Sequence, residues 1–262
     1  MRALYTAATG MAAQELNVQV ISNNIANLRT TGFKKQRAAF QDLIYDHVRR
    51  VGAQASDQGT ILPVGVDIGG GVKTVGTPRL MSQGTLSPTG NDLDIAIRGE
   101  GFFKIQMPDG TYTYTRDGSF QMDAQGRVVT AQGNPVQPTM TIPQNASGIT
   151  INAQGQLSVT LPGSTTPTTV GQIGLTRFIN KAGLNPIGDN LFTDTPASGT
   201  PQDGIAATDG YGDMQQSNLE QANVEVVTEI SDLIAAQRAY EMNAKVVSAA
   251  DQMMQSTTGM FR

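Results

Sequence analysis

The chain has 262 residues, 39% hydrophobic and 5% aromatic, with no Trp, no Cys and a formal net charge of −4. Without Cys there are no disulfides, no thiolate metal sites and no cysteine nucleophile, and the acidic balance excludes a large basic surface for nucleic acid. The charge is uneven: residues 1–50 carry seven positive and three negative side chains, and residues 216–262 carry three positive and six negative, which favours pairing of the two ends but is also what two solvated faces of chance sign would show.

The first segment reads as a helix. Leu4, Ala7, Met11, Gln14, Val18, Ile21, Ile25 and Leu28 recur in steps of three and four, the narrow apolar seam of a coiled-coil face. Gly32 is a plausible stop. A short amphipathic piece with Phe33, Phe40, Leu43, Ile44 and Val48 follows. Met1–Ala13 is a poor secretory signal, because Thr6, Thr9 and Gly10 break its apolar run. No stretch approaches the ~20 apolar residues of a membrane span, so the chain is not expected to be membrane-embedded.

Residues 46–70 have no clear period and read as an extended connector. Residues 71–215 change character, being rich in Thr, Gly, Pro and β-branched residues with turn signals at short intervals. The clearest hairpin joins Ile149–Ile151 to Leu157–Leu161, with apolar alternation in both arms. Thr111–Arg116 and Ser119–Met122 flank Asp117-Gly118 in a similar way. Leu93–Ile97 alternates too and reads as a strand. The last segment is the strongest helix: Val226, Leu233, Tyr240, Val247 and Met254 recur every seven residues, with Ile230, Gln237, Ala244 and Asp251 at the second seam position. Asn218 or Asn223 is the expected cap.

The fold class is therefore α+β. Residues 1–45 and 216–262 supply the N- and C-terminal helices of a coiled-coil-like terminal domain, and an all-β domain of short strands is inserted between them. Two such helices alone make a thin stalk that buries little area. Bundling with the stalks of other copies buries far more.

Catalytic patterns are nearly absent, and no enzyme is expected. His47 is the single histidine, and no Ser sits in a Gly-x-Ser-x-Gly elbow. Gly69-Gly70-Gly71 lacks the spacing and the Gly-Lys-Ser/Thr core of a phosphate loop. Asn91, Asp92 and Asp94 read as a polar turn entering a strand rather than a calcium site. No cofactor or metal is expected.

Three groups of motifs resemble one family, in order along the chain. Ser22-Asn23-Asn24-Ile25-Ala26-Asn27 followed by Thr30-Thr31-Gly32-Phe33-Lys34 is similar to the N-terminal signature of bacterial flagellar rod and hook axial proteins. Gly90–Ile97, Gly99-Glu100-Gly101-Phe102-Phe103 and Tyr114–Phe120 resemble that family's first β-domain. Ser217-Asn218, Glu229, Ala236-Gln237-Arg238-Ala239-Tyr240-Glu241 and Asn243 resemble its C-terminal signature. Within the family, the length and the segment Asp46–Gly70 favour the distal rod branch over the proximal one. A β-rich binding module or adhesin on a coiled-coil stalk is the alternative of another class.

The resemblance implies a structural subunit of the basal body that polymerises into a straight helical tube, spans the periplasm and transmits motor torque. It implies other rod proteins, the hook protein and the surrounding L and P ring proteins as partners. It also implies type III export without cleavage, with Phe40 and Ile44 as the motif shown to the export gate. The expected subunit interface is Leu4, Met11, Val18, Ile21, Asn23, Asn24, Ile25, Asn27 and Leu28 on the first helix, with Val226, Ile230, Leu233, Gln237, Tyr240, Val247 and Met254 on the last. The asparagines would offer amides to neighbouring backbones and set register.

Overall fold

A computed structural model of the chain describes residues 2–49, 64–163 and 166–260. Contacts divide it into two units: residues 1–25, 36–78 and 225–262 form the first, and residues 26–35 and 79–224 form the second. The α+β class expected from the sequence is what the chain adopts.

The first unit holds two helices, α1 (Arg2–Ala26) and α2 (Val226–Met260). With 35 residues, α2 is about 52 Å long at 1.5 Å per residue. Neither expected asparagine caps it. Instead the Glu225 carbonyl accepts the Glu229 N–H at 3.0 Å, and the Glu225 carboxylate accepts the Thr228 hydroxyl at 3.0 Å.

Between the helices in sequence lie β1 (Ala39–Asp42), β2 (Tyr45–Arg49), β3 (Val66–Gly69) and β4 (Val72–Gly76). β1 pairs with β4 and β2 with β3, both antiparallel. Leu43 N–H donates to Gly71 O at 2.8 Å, and Gly70 N–H donates to Ile44 O at 3.1 Å, joining the two pairs into one long ribbon. The sequence reading had a helical half running to residue 45 and a connector over 46–70. Strands take up both ends of that connector, while residues 50–63 lie outside the described residues. The β-branched and aromatic residues here (Tyr45, Val48, Val66, Ile68, Val72, Val75) are legible as strands only once partners some twenty residues apart are set side by side. The lone histidine belongs to this ribbon, where His47 Nδ1 lies 2.6 Å from Asp67 Oδ1 across the ladder.

The second unit is built of short strands. In chain order these are β5 (Leu86–Pro88), β6 (Ile95–Arg98), β7 (Phe103–Gln106), β8 (Tyr112–Thr115), β9 (Gln121–Met122), β10 (Val128–Val129), β11 (Val136–Gln137) and β12 (Gly148–Ile151). Then come β13 (Gln156–Thr160), β14 (Thr168–Gln172), β15 (Gly174–Arg177), β16 (Asn185–Gly188), β17 (Leu191–Thr193), β18 (Gln202–Ile205), β19 (Asp213–Gln216) and β20 (Asn218–Glu220). Five strands form one sheet in the order β11-β7-β8-β17-β16, three form β12-β13-β14, and β6–β19, β5–β20, β15–β18 and β9–β10 are pairs. Ile95, Ile97, Phe103, Ile105, Leu157, Ile173 and Leu175 are fully buried in the main core.

The hairpin read at 149–161 is present, with Ile151 opposite Leu157 and Ile149 opposite Val159. The one read around Asp117-Gly118 is not. β8 pairs instead with β7 across the Asp109-Gly110 turn, and with β17. Asp117 Oδ1 accepts the Ser119 N–H and hydroxyl at 3.0 and 2.7 Å, a local turn that carries Gly118 against β6, where its carbonyl accepts the Ile95 N–H at 3.0 Å. Asp94 accepts from Thr89 Oγ1 at 2.5 Å and Asn91 Nδ2 at 3.0 Å, so its carboxylate serves the turn.

A second cluster joins Phe102, Tyr114, Phe178, Leu184 and Phe192, with Tyr114 and Phe178 edge-to-face at 4.8 Å. Burial, reinforced by Asp194 and Asp203, pushes the Tyr114 phenol up to about 12. In the unfolded chain the same phenol ionises first, near 10. The folded state therefore holds the extra proton between pH 10 and 12, and stability falls as pH rises through that window. Tyr114→Phe is expected to remove the last-ionising phenol from a 295 nm absorbance titration and to flatten this alkaline loss.

Candidate assembly surface

In the first unit α1 and α2 run antiparallel, pinned at two points. Near one end Asn24, 2% exposed, uses its whole amide. Its Nδ2 donates to Gln36 O at 2.9 Å and to Glu229 Oε2 at 3.1 Å, and its Oδ1 accepts the Gln36 N–H at 2.9 Å. Toward the other end Gly10 faces Asn243, where a Cβ on residue 10 would stand 2.8 Å from Asn243 Nδ2. A larger residue there would displace the Asn243 amide.

These contacts define a seam that coincides only in part with the one the heptads suggest. On α2 the buried residues are Glu229, Ala236 and Ala250, and Asn243 is half-buried. Each stands one position before the expected Ile230, Gln237, Ala244 and Asp251. Leu233 and Val247 are half-buried, whereas Val226, Ile230, Gln237, Tyr240 and Met254 are exposed. On α1 Ala13, Val20 and Asn24 are buried, again one position early, together with Ala7 and Ile21. Leu4, Met11, Val18 and Ile25 are half-buried and Asn23 is exposed. α1 also meets the ribbon, since the Val72 N–H donates to Thr9 Oγ1 at 3.4 Å. Asn24, expected at the subunit interface, hydrogen-bonds to Gln36 and Glu229 of its own chain.

Small and polar side chains thus close much of the helix pair, with Val20 and Ile21 buried beside them, and several large apolar ones are left outside. Val227 is 74% exposed, Ile234 53%, Met242 60% and Met253 64%. Phe40 sits half-buried on β1, while Ile44, 89% exposed, lies in the step between β1 and β2.

In the second unit the motif Thr30–Lys34 is a structural tie, and here sequence reading missed a role. Lys34 and Glu220 are each 1% exposed, and Arg116 is 3% exposed. Lys34 Nζ donates to Glu220 Oε1 at 2.5 Å and to Ser82 O at 2.9 Å. Arg116 donates to Glu220 Oε2 at 3.3 Å and to Gly99 O at 2.6 Å. The same carboxylate takes the Gly84 N–H at 2.9 Å. Burial pushes the Lys34 ammonium down, and Glu220 opposes the shift. Burial lowers Arg116 as well. The available signal was the opposite charge of the chain ends, because Lys34 and Glu220 belong to those two segments.

Around this tie Phe33 packs with Ala222, Val224 and Leu28, and Asn27 Oδ1 accepts the Thr30 hydroxyl at 3.1 Å. Leu28 and Asn27, expected at subunit contacts, are engaged locally. Asn223, expected as a cap, accepts the Lys35 N–H at 2.8 Å and donates to Leu80 O at 2.7 Å. Gly32 has φ +68, and a Cβ there would meet Asp117 N at 2.7 Å. Gly32→Ala is therefore expected to cost the second unit about 1–3 kcal/mol, measured as a lower urea midpoint.

Three family models match successive parts of the chain. Residues 4–34 match "Flagella basal body rod protein", residues 96–159 match "Flagellar hook protein FlgE/F/G D1 domain", and residues 215–260 match "Flagellar basal body rod FlgEFG protein C-terminal". The flagellar basal-body rod protein FlgG of Caulobacter vibrioides is 53% identical over 98% of both chains. The chain belongs to the FlgG family of flagellar basal-body rod proteins. The FlgG of Agrobacterium fabrum is 48% identical over 97% of both chains, and that of Bacillus subtilis 34% over the full length of both. FlgF of C. vibrioides is also similar, at 34% over 97% of this chain and 95% of that protein. The matched ends hold the FlgG-family helix pair and the Lys34–Glu220 tie. No helix among the described residues is long and apolar enough to cross a membrane.

Proposed function

We propose that this chain is a structural subunit of the distal flagellar rod, assembling with copies of itself into a straight, rigid helical tube that carries torque from motor to hook. The observation behind this reading is the apolar surface of α2. Once the small-residue seam has closed, Val227, Ile230, Ile234, Met242, Val246 and Met253 stay exposed on one helix. Exposed apolar side chains in this number on one helix mark an interaction surface. The same contact repeated from copy to copy without closing a ring makes a helical polymer.

A role in stiffness rather than catalysis fits membership of a rod family, and fits polar side chains spent on holding the chain together. The distal branch is favoured over the proximal one by the comparison within a single organism, 53% against FlgG and 34% against FlgF of C. vibrioides. In this reading the tube lies in the basal body across the periplasm. It meets other rod proteins and the hook protein at its ends and the L and P ring proteins around it. The subunit reaches its place through the flagellar type III export apparatus, with Phe40 and Ile44 offered to the export gate before folding.

Concentrated full-length protein viewed by electron microscopy tests this. Straight tubes are expected. Removing residues 2–25 should abolish them while the second unit, which includes residues 26–35, remains folded. A chain that stays monomeric at high concentration, with both ends resistant to protease, overturns the reading.

A further inference from the structure

The helix pair has two rotational settings open to it. One turns the larger apolar residues inward, Met11, Val18 and Ile25 against Val226, Leu233 and Tyr240. The adopted setting lies part of a turn away: Gly10, Ala13, Val20, Ile21 and Asn24 of α1 and Glu229, Ala236, Asn243 and Ala250 of α2 line it, with Leu233 and Val247 half-buried beside them. Area alone favours the first setting, since the second buries Val20 and Ile21 but spends Gly10, Ala13, Ala236 and Ala250 where Met11, Ile25, Val226 and Tyr240 would stand. Something other than apolar burial selects the second.

The Asn24 node supplies it. Asn24 and Glu229 are 2% and 4% exposed, and the Asn24 amide satisfies the Gln36 N–H and Gln36 O while donating to Glu229. Turning α1 or α2 by one residue would separate the two side chains and leave buried polar groups without these bonds, which is costly. A polar residue on an otherwise apolar seam is known to choose register at some loss of stability. We propose that the Asn24–Glu229 pair is a register device: it holds the helices in the adopted setting, denies Val226, Ile230 and Tyr240 to the chain itself and so keeps those side chains for a second copy. The proposal rests on the polymerisation reading for its last step only.

The test uses the full chain carrying Asn24→Leu and Glu229→Leu together. The chain has no Trp, so Ile230→Trp, at a position now 44% exposed, reports the setting by its fluorescence. In the otherwise unaltered chain its emission is expected to be that of a solvent-exposed indole. In the double variant the emission should move to the blue, the urea midpoint of the monomer should hold or rise, and the protein concentration at which tubes first form should rise by about tenfold or more. Glu229→Gln, whose carbonyl still accepts from Asn24, should behave as the unaltered chain does. Unshifted emission with unchanged assembly overturns the proposal. So does loss of stability and assembly together, the result expected of an ordinary packing role. If the unaltered chain forms no tubes, the polymer reading fails, and the emission comparison still decides the register claim.

Discussion

Glu220→Gln is expected to lower the stability of the second unit by about 3–5 kcal/mol, because it removes the counter-charge from two buried cations at once. Lys34 and Arg116 both donate to this one carboxylate, and Glu100 acts on them only at longer range. A glutamine side chain has nearly the same shape, so the loss is one of charge rather than packing. Lys34→Met removes one cation and leaves Arg116 with Glu220, so its cost should be smaller. Lys34→Met added to Glu220→Gln should recover part of the loss, a coupling that a double-mutant cycle in urea reads directly. Equal costs for the two single substitutions, or strict additivity, would remove the charge argument. The tie matters for the proposed role because it joins residues 186 positions apart, near where the helical ends leave the second unit.

Val227→Asp with Ile234→Asp is expected to abolish tube formation with little effect on the monomer. Both side chains are more than half exposed on α2, so the single chain loses little burial and should keep its helical circular dichroism. In a polymer both would be covered. Losing two large apolar side chains costs about 4 kcal/mol per repeated contact, before the added penalty of burying carboxylate. That raises the assembly concentration by about a thousandfold. Sedimentation and electron microscopy across a concentration series read the effect. Tubes forming at the unaltered concentration would show that this face is not what neighbouring copies cover.

Much was legible in the sequence wherever the deciding interactions are local. The two helices follow from apolar residues three and four apart. The Ile149–Leu161 hairpin follows from alternation around a tight turn that ends in Gly155, whose φ is +77. The motifs at Asn23–Lys34, Gly90–Phe103 and Ser217–Asn243 carried the family. The ribbon of β1 to β4 was not legible, because its strands are short and their partners lie about twenty to forty residues further along the chain. The hairpin around Asp117-Gly118 was misread because the Asp117–Ser119 turn sends the chain to β6, a strand that precedes it in sequence.

The sequence by itself determined which segments are helical, which are built of short strands, and that the helices carry more apolar surface than one stalk can hide. Tertiary structure alone decided which face of each helix turns inward. A heptad pattern ranks positions by hydrophobicity, whereas the adopted seam is set by hydrogen bonds that cannot form elsewhere. Asn24 finds its partner 205 residues away, and Gly10 leaves room for the Asn243 amide against α1. Buried polar groups must be satisfied, and in the proposed register device that requirement outranks the larger apolar area available in the other setting.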